Sequence, residues 1–260
     1  MLRFSANIST LFNELPLLER PAAAAAAGFA AIEIQFPYVV PAARIAAACA
    51  SARVECVLIN LPAGNLEAGE VGVAGLPGRE SEFLDSIRLA SDYAGALGCT
   101  RVNCLAGVQP AAEARSRCWD VLVRNIALAA ERFAQTGVQL LVEPLNLTDV
   151  PNFLLGRIAD GDELLAAVDH PNLRLQYDAY HRRAAGDDWL GGLAERIPRV
   201  GHIQFSDFPG RHEPGTGELD MGRLFALIAA LPYHGWTGCE YRPRGRTEDS
   251  FGWRAGVARL

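Results

Sequence analysis

Short β-like runs alternate with helical ones from end to end of the chain, and this alternation restricts the fold more than any other feature. The strands read as LRFSANIS (2–9), AIEIQFP (31–37), VECVLIN (54–60), TRVNCLAG (100–107), VQLLVEP (138–144), LRLQYDAY (173–180), VGHIQFSD (200–207) and WTGCEYRP (236–243). Helical segments fall between them. In the clearest, 82–97, Phe83, Ile87, Ala90, Ala94 and Leu97 recur on one helix face, and Gly98 supplies the stop. Another is expected from Ala112 to Ala134, closed by Gly137. Residues 17–27 are alanine-rich, but Pro21 should kink or restart a helix there. Eight strand–helix pairs without a composition break predict one closed (β/α)8 TIM barrel, a single domain over residues 1–260. An open doubly wound sheet of the dinucleotide-binding type wants G-x-G-x-x-G after its first strand, and SANISTLFNE has none.

Composition removes whole classes of function. Half of the 260 residues are hydrophobic, enough for a barrel-sized core. A net charge of −6 and a pI near 5.4 argue against a nucleic-acid or membrane-surface partner. No apolar run reaches about 18 residues, and MLRFSANIS lacks the zones of a signal peptide. Six cysteines without a CxxC pair read as reduced thiols of a cytoplasmic protein, packed as small hydrophobes. There is no lysine at all, so Schiff-base and ordinary pyridoxal-phosphate mechanisms are excluded. Nothing sets an oligomeric state, and a homo-oligomer is compatible with the chain.

In a barrel, chemistry gathers at the C-terminal ends of the strands. VQLLVEPLN ends a buried strand on Glu143, and the last three strands close in the same way, on Asp178, Gln204 and Glu240. Alternation sends Leu173, Leu175 and Tyr177 toward the helices and Arg174, Gln176 and Asp178 inward; likewise Ile203 and Phe205 outward, His202 and Gln204 inward. Three carboxylates converging in one mouth repel one another unless a cation holds them. Three carboxylates and an amide oxygen are hard ligands, suited to Mg²⁺ or Mn²⁺ rather than Zn²⁺.

The motifs ANIS, LPAGNLEAGEVGVAGLPGRE, VNCLAG, VEPLN, QYDAYH, PGRHEPGTGE and GCEYRPRG together resemble the hydroxypyruvate isomerase family, in the xylose-isomerase-like superfamily of TIM barrels. The resemblance spans nearly the whole chain. It implies that Glu143, Asp178, Gln204 and Glu240 bind a divalent metal and that Glu143 and Glu240 move the proton. It extends equally to 2-oxotetronate isomerases, so it points to a small hydroxy-oxo acid substrate and leaves its length open. Hydroxypyruvate would be converted to tartronate semialdehyde through an enediolate. Arg211, after strand seven, is placed to clamp the substrate carboxylate, and His181, three residues past Asp178, to polarise a substrate oxygen.

Three other readings compete. A neutral-sugar isomerase or epimerase would not need a cation for a substrate carboxylate. A phosphodiesterase of the superfamily's endonuclease branch needs a histidine-rich zinc cluster and a basic surface. A non-catalytic binding barrel has no use for the glutamate pair. The glycine-rich stretch 62–80 is expected to lie over the mouth as a lid.

Overall fold

The computed structural model describes residues 2–257. Its strands are β1 (Phe4–Asn7), β2 (Ala31–Ile34), β3 (Glu55–Asn60), β4 (Arg101–Cys104), β5 (Gln139–Val142), β6 (Leu173–Asp178), β7 (Val200–Phe205) and β8 (Thr237–Cys239). Each is parallel to its neighbours, and Ser5 of β1 lies opposite both Ala31 of β2 and Gly238 of β8. The sheet is therefore a closed barrel in sequence order, the (β/α)8 architecture expected. The strands are shorter than the sequence runs, since most apolar residues at their ends belong to the turns.

The helices are α1 (Arg20–Ala26), α2 (Ala42–Ala52), α3 (Glu80–Leu97), α4 (Arg115–Ala134), α5 (Ile158–Val168), α6 (Ala179–Ala184), α7 (Gly191–Arg196), α8 (Met221–Ala230) and α9 (Arg254–Val257). In α3 the buried residues are Phe83, Ser86, Ile87, Ala90 and Ala94, and Gly98 ends the helix in the left-handed conformation. Helix α1 starts at Arg20, directly after a short 3-10 turn at Leu17–Glu19, with Pro21 in its first turn. Helix α4 begins at Arg115, three residues later than expected, because Glu113 N–H closes a turn onto the Pro110 carbonyl. No helix among the described residues is long and apolar enough to cross a membrane. All six cysteines are free and buried.

Outward strand residues build the apolar layer. Phe205 of β7 meets Phe4, Phe225 and Trp253 edge-on, with centroids 5.0–5.9 Å apart, which fastens α8 over the β1–β7–β8 side. The interior of the barrel is different. Ser5, Asn7, Glu33, Asn103, Gln176, His202 and Gln204 are all buried there. A barrel filled with polar groups must satisfy them internally, and their hydrogen bonds lead to the C-terminal end.

Candidate active site

Glu143 is the first residue after β5, held there by Pro144, which has no N–H to continue the ladder. Asp178 ends β6, Gln204 precedes the last residue of β7, and Glu240 follows β8. All four reach the C-terminal end of the barrel, and all are buried. Glu143 and Glu240 line a cavity of about 520 Å³ together with His181, Arg211, Asn60 and Arg242.

Each carboxylate has a definite neighbour. Asn103 Nδ2 and Gln176 Nε2 donate to Glu143 Oε2 at 3.0 and 2.8 Å. Tyr180 N–H donates to Asp178 Oδ1 at 2.9 Å. Gln35 Nε2 donates to Glu240 Oε1 at 2.8 Å. One Arg211 nitrogen bridges Asp178 Oδ2 at 3.1 Å and Glu240 Oε1 at 2.7 Å. Gln204 Oε1 accepts from Gln176 Nε2 at 2.6 Å, and Gln204 Nε2 donates to Glu33 Oε2 at 2.7 Å.

Burial governs the protonation of this group. Burial, and then the charges of Glu240 and Asp178, push the Glu143 carboxyl well above the ordinary range. Burial likewise raises Glu240, to about 7, against the opposing pull of Arg211. Asp178 is raised for the same first reason. For Arg211, burial disfavours the charge, but Glu240, Asp178 and Glu143 outweigh it and hold the guanidinium protonated. The cluster is short of positive charge, and Arg211 is the cation that bridges two of its carboxylates.

His181 is fully specified. Its Nδ1 accepts from the Asn146 backbone N–H at 3.2 Å, so the ring proton sits on Nε2. Burial, with Arg211 and Arg182, drives its pKa well below the usual value, and the ring is neutral. Nε2 lies 3.8 Å from Asp178 Oδ2. His181 is thus a neutral N–H donor at the cavity wall.

The loop that carries Arg211 is organised by one buried carboxylate, Asp207. Its Oδ1 accepts from the N–H groups of Phe208 and Leu219, and its Oδ2 from those of Gly215, Thr216 and Gly217, at 2.8–3.0 Å. A Cβ on Gly217 would lie 2.3 Å from the Phe208 carbonyl oxygen, so the turn needs glycine there. His212 Nδ1 contacts the Arg242 carbonyl and Glu213 accepts from Arg244 N–H, tying the loop to the segment after β8. This is why PGRHEPGTGE appears in the chain as a unit.

The 62–80 segment is only in part what the sequence suggests. Val71 lines the cavity. Residues 72–76, however, are core: Asn125 Nδ2 holds the Ala74 carbonyl at 2.7 Å, and Gly75 N–H bonds Ala106 at 2.8 Å. The exposed residues of the segment are the tip, 65–69, and Gly78. That packing ties 72–76 into the core, and 65–69 is the stretch of the loop that stands clear of it.

Two of the expected ligands, Glu143 and Asp178, come together as a hard cation requires, while Glu240 lies outside their close group. Ligand atoms of Glu143, Asp178 and His181 lie within 4.8 Å of one another. Glu240 Oε2, Gln176 Oε1 and Asn103 Oδ1 are buried oxygens without partners, and such groups ordinarily find a donor, a water or an ion. His181 joins the close group, but with its proton on Nε2 it serves better as a donor than as a ligand.

A closed TIM barrel with acids and a neutral histidine around a cavity at its C-terminal end is the architecture of a barrel enzyme. The xylose isomerase-like TIM barrel model matches residues 21–260. The 2-oxo-tetronate isomerase of Cupriavidus necator is 43% identical over 97% of each chain. The hydroxypyruvate isomerase of Escherichia coli is 41% identical over 97% of this chain and 98% of its own. A solved structure from Brucella melitensis, described as an AP endonuclease of family 2, superposes with a TM-score of 0.95 at 38% identity over 98% of each chain. The chain belongs to the xylose isomerase-like TIM-barrel family, within it to the hydroxypyruvate isomerase group, and is an isomerase.

Proposed function

We propose that this enzyme interconverts the aldehyde and ketone forms of a small hydroxy-oxo acid, with hydroxypyruvate to tartronate semialdehyde as the leading reaction. The observation that carries the reading is that Glu143 and Glu240, from β5 and β8, line one cavity with His181 and Arg211. Glu143, Asp178, Gln204 and Glu240 would hold Mg²⁺ or Mn²⁺, and the cation would stabilise negative charge on the substrate oxygens.

The protein's own groups do the rest. One glutamate takes a proton from the hydroxyl-bearing carbon, leaving an enediolate, and the other delivers a proton to the neighbouring carbon. The hydroxyl proton passes from one oxygen to the other, so the atoms balance. His181 Nε2–H is the donor for a substrate oxygen. Arg211 is paired with Asp178 and Glu240; a cation on those carboxylates would release its guanidinium toward the substrate carboxylate.

The same features support 2-oxotetronate as substrate, since the cavity accommodates a fourth carbon and a relative of that name is 43% identical. Arg211 and Arg242 on the cavity wall favour an acid over a neutral sugar. Against an endonuclease stand the net charge of −6 and a mouth where His181 is the histidine on the cavity wall. The test is turnover of hydroxypyruvate, 2-oxotetronate and an uncharged ketose, each with chelator and with Mg²⁺ or Mn²⁺. Metal-stimulated turnover of either acid but not of the ketose supports the reading. Turnover of the ketose alone would replace it with a sugar isomerase.

A further inference from the structure

Glu33 is a second buried carboxylate system with no part in the steps above. It lies in β2 between Ile32 and Ile34 and is fully enclosed. Enclosing a carboxylate costs several kcal/mol unless donors surround it. Four do. Ser5 Oγ donates to Oε1 at 2.6 Å, and His202 Nε2 meets the same oxygen at 2.7 Å. Gln204 Nε2 donates to Oε2 at 2.7 Å, with Asn7 Nδ2 farther off at 3.5 Å. Holding β2 in the barrel does not require them, since β2 is already paired on both edges. Room is also made on β8: a Cβ on Gly238 would fall 2.2 Å from Glu33 Oε1 and 2.8 Å from Gln204 Cγ. Glycine at 238 is what lets Glu33 and Gln204 meet.

The Gln204 amide has two orientations, and this network admits one. As it stands, its NH₂ faces Glu33 and its carbonyl faces Gln176, whose own NH₂ is shared with Glu143. Turned over, the carbonyl would oppose the Glu33 carboxylate and the two NH₂ groups would oppose each other. Two hydrogen bonds would become two repulsions. A carbonyl oxygen has two lone pairs, and Gln176 engages one.

We propose that Glu33 is a positioning residue: by accepting from the Gln204 NH₂ it aims the Gln204 carbonyl oxygen at the carboxylate cluster, where its free lone pair serves a divalent cation. The inference rests on the reading of Gln204 as a metal ligand. Glu33 touches neither substrate nor cation; it acts through the amide.

The experiment is Mn²⁺ binding to the full-length enzyme, followed by the electron paramagnetic resonance signal of free Mn²⁺. Partners that orient a metal ligand are typically worth about 10–100-fold in affinity. Glu33→Gln, which can donate as well as accept and so tolerates either amide orientation, should weaken Mn²⁺ by that order, with activity returning at high Mn²⁺. In a Gln204→Ala background the same change should have almost no further effect, whereas a general structural role would add to it. Wild-type affinity in Glu33→Gln, or full additivity, overturns the inference while leaving the metal reading intact. Absence of Mn²⁺ binding to the wild type overturns both. If Glu33→Gln does not fold, ¹⁵N-glutamine labelling of the wild type decides. Gln204 NH₂ protons, identified by their loss in Gln204→Ala, should exchange slowly with solvent before and after Mg²⁺ saturation. Fast exchange in either state overturns the inference.

Discussion

Replacing Arg211 with methionine keeps most of its volume and removes the guanidinium that bridges two carboxylates. One nitrogen stands 3.1 Å from Asp178 Oδ2 and 2.7 Å from Glu240 Oε1, and both carboxylates are almost wholly buried. Removing one partner of a buried pair costs roughly 3–5 kcal/mol, because the other is left uncompensated. At roughly 2–4 °C per kcal/mol for a chain of this size, the melting temperature should fall by about 6–20 °C in chelator. Protonation limits the loss. Burial already raises Glu240 to about 7, and without Arg211 its pKa rises further, so the deficit should be larger at about pH 8 than at about pH 6. Mg²⁺ should restore more stability to Arg211→Met than to the wild type, because the cation then supplies the missing charge. The assay is thermal unfolding by circular dichroism at both pH values, with chelator and with saturating Mg²⁺. An unchanged melting temperature in chelator at pH 8, or a smaller Mg²⁺ effect in the variant, would refute the view of Arg211 as the counter-cation of the site.

Three other outcomes follow from the same geometry. In chelator, the folded-state pKa of Glu240 lies above its unfolded value of 4.5, so the folded state holds the extra proton; stability in urea should fall as pH rises from about 4.5 to 7, with Glu143 extending the decline upward, and Mg²⁺ should flatten it. Asp207→Asn sets an NH₂ against backbone donors that now meet a carboxylate, each such bond worth roughly 1.5–3 kcal/mol; loosening the Arg211 loop should raise KM for the acid substrate more than it lowers kcat, and an unchanged KM would sever Asp207 from Arg211. His181→Phe removes the Nε2–H donor while keeping a ring, and should lower kcat by about 10²–10³-fold; a change confined to KM would make His181 a contact only.

The barrel and the level of the site were legible because a two-residue period fixes direction. Gln176, Asp178, His202 and Gln204 point inward, and Tyr177 and Phe205 outward, as alternation requires. The same rule was available for Glu33 in AIEI and Asn103 in VNC, where a polar residue sits between apolar ones, and their roles as partners of Gln204 and Glu143 were missed. Alternation names the face but not the partner, and Glu33 meets Gln204 across 171 residues. Arg211 was expected on the substrate, yet its contacts depend on a loop conformation set by Asp207, including a left-handed φ of 58° at Arg211 itself. Glycine content suggested a movable lid over 62–80, but Gly72 and Gly75 serve close approach instead: their added Cβ atoms would lie 2.1 Å from the Leu105 carbonyl oxygen and 2.3 Å from Leu154 Cδ1. The His181 tautomer rests on a backbone N–H thirty-five positions away, which no local pattern encodes.

The central claim is that Glu143 and Glu240 are the two groups that move the substrate proton. The most direct measurement is turnover of hydroxypyruvate and 2-oxotetronate in D₂O by the wild type, Glu143→Gln and Glu240→Gln, following both rate and the deuterium carried by the product. Glutamine keeps an oxygen for the metal and loses the basic carboxylate. The wild type should place solvent deuterium on the carbon that gains hydrogen, and each variant should lose about 10²–10⁴-fold in kcat. Variants that fold, bind Mn²⁺ and still turn over both acids near the wild-type rate would contradict it.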